Sequence, residues 1–192
     1  MKNCWFILAI AVVVTSCKAK EKGAEKKFIS VRSLIEKQVA HIDTSLYAIT
    51  KVVTKDSLHS DTFYISRENF RAEAKDFLEI PDLSVQKIAK RYNEETRYDE
   101  LLNRVIITYT PQKPEKEEIQ KQEILVTPNI ATGDKVNNII IESVKSDRNG
   151  FFEKKMLWQV DHSFLITTTT QKPGESEIVT TTRVTWNDHS QQ

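Results

Sequence analysis

From Ile88 to Trp186 the chain alternates apolar and polar residues in short runs, each closed by turn-forming residues. A period of two sends one side chain into apolar surroundings and the next into water, as in a half-buried β-strand. The runs fall at 88–94, 102–110, 119–127, 136–145, 151–161, 163–170 and 178–186. In the last of them Ile178, Thr180, Thr182, Val184 and Trp186 share one face. Phe152, Met156, Trp158 and Val160 form a less regular face, because Lys154 interrupts it. Turn chemistry separates the late runs: Thr132-Gly133-Asp134, Asn149-Gly150 and Lys172-Pro173-Gly174. Asn-Gly between two alternating runs is the strongest of these hairpin signals. The chain has only 4 Gly, and the three late ones are used by turns, so none of those three is left for a phosphate-cradling loop.

The preceding sixty residues follow a different rule. Ser30 is placed to cap a helix, and Val31, Leu34, Ile35, Val39 and Ile42 recur at helical spacing behind it. Residues 46–54 are β-branched and read as a strand; 62–65 read as a second, short one. Ser66 is placed to cap another helix, with Phe70, Ala74, Phe77 and Leu78 on one face, and Pro81 stops it. Asp82 opens a single further turn through Gln86. The expectation is an α+β fold: two or three N-terminal helices packed on one face of a curved antiparallel β-meander of about seven strands. No fixed-period repeat or interior linker divides it, so residues 28–192 read as a single α+β globular domain.

Ahead of that domain, Lys2 is followed by an unbroken apolar run at 5–14, WFILAIAVVV. Ten helical residues rise roughly 15 Å, about half of a bilayer's hydrocarbon core. Such a run is too short to span and suits the apolar region of a signal peptide. Val14, Thr15, Ser16 and Cys17 come next. An aliphatic residue, two small residues and a cysteine resemble the lipobox of bacterial lipoproteins. That resemblance implies cleavage between Ser16 and Cys17, diacylglycerol joined to the Cys17 sulfur, and acylation of the new N-terminus. The small residues let the backbone enter a peptidase groove, and only cysteine supplies the thiolate for a thioether. An ordinary secretory signal with an incidental cysteine, or an uncleaved buried helix, is the alternative.

The lipoprotein reading makes residues 1–16 a signal peptide and 17–27 the lipidated cysteine with a basic linker. Cys4 would be discarded, leaving no free thiol and no possible disulfide. In this class an aspartate after the cysteine favours inner-membrane retention, so Lys18 points to the outer membrane. Residues 18–27 (KAKEKGAEKK) carry five Lys and two Glu and read as a solvated spacer, with anionic headgroups as a further resting place.

Chemistry-bearing constellations are sparse. Basic residues number 28 and acidic ones 27, which gives no attraction to a polyanion and argues against nucleic acid as a partner. No Gly-x-Ser-x-Gly elbow occurs, and no catalytic residue, cofactor or metal ligand set is assigned. His41 falls on the polar side of the first helix and His59 in a turn. Asp161-His162 and Asp188-His189 sit at strand ends, where a meander could join them as a metal site, although solvated strand ends are the simpler reading. Glu94-Glu95, Asp99-Glu100 and Glu117-Glu118 fall in or beside turns and read as solubilising charge. The Thr runs at 167–170 and 180–182 offer either a flat recognition face, for carbohydrate or a sheet edge, or simply the wet side of strands. Phe151, Phe152, Trp158, Phe164 and Trp186 gather in the last three strands. They read as core, or else Trp158, Phe164 and Trp186 line an apolar groove for an acyl chain, an analogy at the level of fold.

Residues 155–188 (KMLWQVDHSFLITTTTQKPGESEIVTTTRVTWND) look similar to the C-terminal part of small, uncharacterised lipoproteins of Gram-negative envelopes. That resemblance brings no activity. The expectation is a membrane-anchored envelope lipoprotein with a non-enzymatic binding or structural role. Its acyl chains would sit in the membrane and its domain on an envelope protein, glycan or lipid. The alternatives are an acyl-chain or lipid carrier, and a carboxylate- or His-dependent hydrolase.

Overall fold

A computed structural model describes residues 28–56 and 59–186. The segment holding Ser16, Cys17 and the linker, and the pair Asp188-His189, lie outside these residues.

Nine strands form one antiparallel sheet: β1 Ile49–Lys55, β2 His59–Ile65, β3 Tyr92–Asp99, β4 Arg104–Pro111, β5 Ile119–Thr127, β6 Lys135–Asp147, β7 Gly150–Gln159, β8 Ser163–Gln171 and β9 Ile178–Thr185. Their spatial order is β2-β1-β9-β8-β7-β6-β5-β4-β3. From β3 to β9 each strand pairs with the next in sequence, and the β1–β2 hairpin completes the sheet by joining β9. Among the described residues four α-helices precede or interrupt the strands: α1 Val31–Asp43, α2 Arg67–Glu73, α3 Lys75–Leu78 and α4 Gln86–Ala89.

The α+β expectation is overturned. The helices hold 13, 7, 4 and 4 residues beside a sheet of nine strands, so the domain is mainly β, and the sheet is wider than the expected meander of about seven strands because the first hairpin joins it. The reason lies in the partners of the first hairpin. It joins the final strand through Lys51↔Val184 and Lys55↔Thr180, a pairing between the two ends of the domain that no local pattern announces. The helical stripe Phe70, Ala74, Phe77 and Leu78 breaks at Ala74, whose ψ of 3° ends α2 before α3 begins. Ile88 belongs to α4 rather than to a strand.

Helix α1 starts where Ser30 accepts the Ser33 N–H at 3.1 Å, while the Ser30 hydroxyl donates to Asp82 Oδ2 at 2.8 Å. Its stripe Val31, Ile35, Val39 and Ile42 is buried. Phe28 stacks on Tyr109 of β4 with ring centroids 4.3 Å apart, and the Ile29 N–H donates to the Tyr109 hydroxyl at 3.1 Å. Burial pushes the Tyr109 phenol up to about 12, with the Glu94 carboxylate adding in the same direction. Phe70 of α2 and Phe77 of α3 pack on Trp158, so these short helices are held by rings more than by their own length.

One glycine is obligatory. Gly150 has φ +141° at the β6–β7 turn, and a Cβ there would sit 2.5 Å from the Gln171 carbonyl oxygen. Gly150→Ala should lower stability by about 1–3 kcal/mol. Chemical denaturation measures this, and an unchanged midpoint would show that the turn adjusts freely.

Candidate functional site

Directly paired residues of an antiparallel sheet share a face, so the register sorts every side chain to one side or the other. The helices cover the face that carries Trp186, Val184, Phe164, Trp158, Ile139 and Ile124, all buried. They cover only part of it. Two ion pairs mark where the cover ends: Lys51 Nζ to Glu73 of α2 at 2.7 Å, and Lys154 Nζ to Asp76 of α3 at 2.6 Å. Both lysines lie on the covered face, beside buried Val184 and Met156 respectively.

Beyond that line, among the described residues, the same face continues without helices. One cross-strand row runs Ser143, Lys154, Thr168, Thr180, Lys55 and His59, through β6, β7, β8, β9, β1 and β2. With about 4.8 Å between strands, six strands give a row roughly 24 Å long. Each end opens into a recess. One, of about 260 Å³, is lined by Glu118, Ser143, Lys145, Phe152 and Lys154. The other, of about 420 Å³, is lined by Val53, Lys55, Asp56, His59, Asp61 and Thr180. Lys145 is also paired with Asp147 at 3.9 Å, and the Asp56 carboxylate accepts the Val179 N–H at 3.3 Å.

The Thr runs divide by their period. Thr168, Thr170, Thr180 and Thr182 stand on the helix-bearing face, and Thr167, Thr169 and Thr181 on the opposite one. There Thr167 Oγ1 and Thr181 Oγ1 lie 3.4 Å apart. That opposite face is laced with close charges, including Lys121 to Glu123 at 3.2 Å and Lys155 to Glu153 at 3.3 Å. The uncovered trough thus presents hydroxyls, which donate and accept, between ammonium groups and carboxylates. Such groups recognise an extended polar ligand by hydrogen bonds.

The structure brings Trp158, Phe164 and Trp186 together, with centroids 5.3–6.2 Å apart. They are 0%, 1% and 2% exposed, and Phe70 and Phe77 occupy the space over them. The positions read as an acyl-chain groove are therefore filled by the chain's own rings. Phe152 lines the first recess, while Phe151 is exposed. His41 lies near Tyr47, with ring centroids 6.3 Å apart. Asp161, at φ +61° in the β7–β8 turn, donates its N–H to Gln38 Oε1 at 2.9 Å, and His162 follows it. Among the described residues no group of three or more His, Cys, Asp or Glu is placed to hold a metal ion. Glu117 is engaged by Arg91 at 2.6 Å, and the Asp99 carboxylate accepts the Leu102 N–H at 3.0 Å.

The sequence reading missed Lys55, His59 and Asp61 as neighbours of the Thr runs, because β1 meets β9 across the length of the domain. Lys154 was visible as an interruption of an apolar face; it marks where the helical cover stops. No family model matches the chain, and no curated protein or solved structure matches it.

Proposed function

We propose that the chain is a membrane-anchored lipoprotein of the cell envelope, cleaved between Ser16 and Cys17 and held by acyl chains on Cys17, at the outer membrane. Its domain works by binding rather than turnover. The surface that meets the envelope partner is the uncovered trough along Lys154, Thr168, Thr180 and Lys55. The anchor part rests on the apolar run and the Val14-Thr15-Ser16-Cys17 sequence. The observation that carries the binding part is the end of helical cover at Lys51 and Lys154, beyond which a hydroxyl- and amine-bearing strand surface lies open. The acyl-carrier alternative requires Phe70 and Phe77 to lift away from Trp158 and Phe164; the trough is open without any movement.

Adjacent threonines give the test its own control. A photo-crosslinking residue at Thr168 or Thr180 faces the trough, and one at Thr167 or Thr181 faces the other side. In cells, adducts should form from the first pair and be weak or missing from the second. Adducts confined to Thr167 and Thr181 would move the binding surface to the other face.

A further inference from the structure

Two hairpin tips expose large apolar side chains at one end of the sheet. In the β3–β4 turn Leu101 is 98% and Leu102 53% exposed; in the β5–β6 turn Ile130 is 107% exposed. The pairings Val105↔Val126 and Val126↔Val136 place both turns beyond the same end of adjacent strands. With two strand spacings between the hairpin axes, the tips stand roughly 10 Å apart.

Both tips are braced by hydrogen bonds within the turn. Asn129 Oδ1 accepts the N–H groups of Ala131 and Thr132 at 2.9 and 3.0 Å. The Asn129 carbonyl accepts the Gly133 N–H at 2.9 Å, and Asp134 Oδ1 accepts the Asn129 N–H at 3.1 Å. In the other turn the Leu102 N–H is satisfied by Asp99. Backbone donors satisfied within a turn lose little on leaving water, while an unsatisfied one opposes entry into hydrocarbon. Each braced N–H lowers the cost of bringing these outward-pointing apolar side chains to a bilayer surface.

We infer that Leu101, Leu102 and Ile130 dip into the bilayer surface and orient the domain on it. The inference rests on the reading of Cys17 as a lipid anchor, and the point where the domain begins favours a bilayer as the occupant. Phe28 docks on Tyr109 of β4, the strand that lies between β3 and β5. From Tyr109 to Leu101 is eight residues, at most roughly 27 Å of chain. The ten residues of 18–27 reach at most about 35 Å when extended, so the tips lie within the tether's reach of its membrane. Charges beside the tips are mixed: Asp99, Glu100 and Asp134 against Arg97, Arg104 and Lys135. Insertion is accordingly apolar, and binding should depend little on salt or on anionic lipid.

The test uses the full lipidated protein in vesicles of phosphatidylethanolamine and phosphatidylglycerol. With Cys17 blocked as a thioether, a cysteine introduced at Glu100, Thr132 or Asn149 takes an environment-sensitive fluorophore. Glu100→Cys and Thr132→Cys report on the two tips, and Asn149→Cys on a hairpin at the other end of the sheet. Tip labels should shift to the blue and be quenched several-fold more by a bilayer-embedded quencher than the Asn149 label. Combining Leu101→Ser, Leu102→Ser and Ile130→Ser should erase that difference while the protein still floats with the vesicles. Floating protein with all three labels in water overturns insertion and leaves the anchor standing. Protein that stays in the aqueous fraction overturns both.

Discussion

Trp158→Ala should cost the domain about 3–5 kcal/mol, the range for truncating a buried large aromatic residue. Total stability for a domain of this kind is about 5–15 kcal/mol, so the variant should be marginal at growth temperature. Trp158 is fully buried and meets Phe70, Phe77, Phe164 and Trp186, with ring centroids 5.1–6.4 Å apart. Two of those rings belong to the short helices α2 and α3, which at 7 and 4 residues have little stability of their own. Removing the indole opens a cavity under both helices at once, and the helix-to-sheet contact is the part that should fail first. Trp158→Phe separates packing from polarity. It keeps a ring and deletes Nε1–H, a buried donor with no hydrogen-bond partner among the described residues, so its loss should be well under half that of alanine. Urea unfolding of the three proteins decides the matter. A loss below about 1 kcal/mol for Trp158→Ala would mean that the aromatic cluster does not hold the helices to the sheet.

The same residues show which parts of this fold a reader of the sequence could see. Strands β6 and β7 were legible because buried positions alternate with half-exposed ones, as in Ile139, Ile141 and Ser143 with Ile140 and Glu142 between them. Edge strands obey no such rule. Every residue of β2 from His59 to Tyr64 is exposed, and β3 is exposed between its end residues, so period-two alternation has nothing to report there. His59 accordingly read as a turn residue, whereas it begins a strand and lines a recess. The helices were over-weighted for the opposite reason. Amphipathic spacing is a strong local signal, yet Phe70 and Phe77 sit on separate short segments. Half of the candidate site was visible, in the Thr runs. The other half required knowing that Lys55 faces Thr180, information carried by long-range pairing alone.

Cys17→Ala should strip the protein of its lipid and of cleavage at position 17. Alanine has no sulfur to carry a glyceride. Acyl chains contribute about 0.8 kcal/mol per buried CH₂, and one myristoyl-length chain alone gives only marginal, reversible binding. Stable retention therefore needs the multiple chains that a modified Cys17 would bear. Cys17→Ser sharpens the comparison, since a hydroxyl keeps the size and polarity but ionises far less readily than a thiol. Intact mass is the decisive readout, because an uncleaved variant would keep the apolar run at 5–14 and could sediment with membranes for that reason alone. The parent protein from its native host should begin at Cys17 and carry the mass of a glyceride and an acyl group. Both variants should lack that mass and keep residues 1–16, or be cut elsewhere and leave the membrane. A parent chain whose Cys17 is unmodified would refute the anchor. It would also remove the tether that brings the tips at Leu101 and Ile130 within reach of a bilayer.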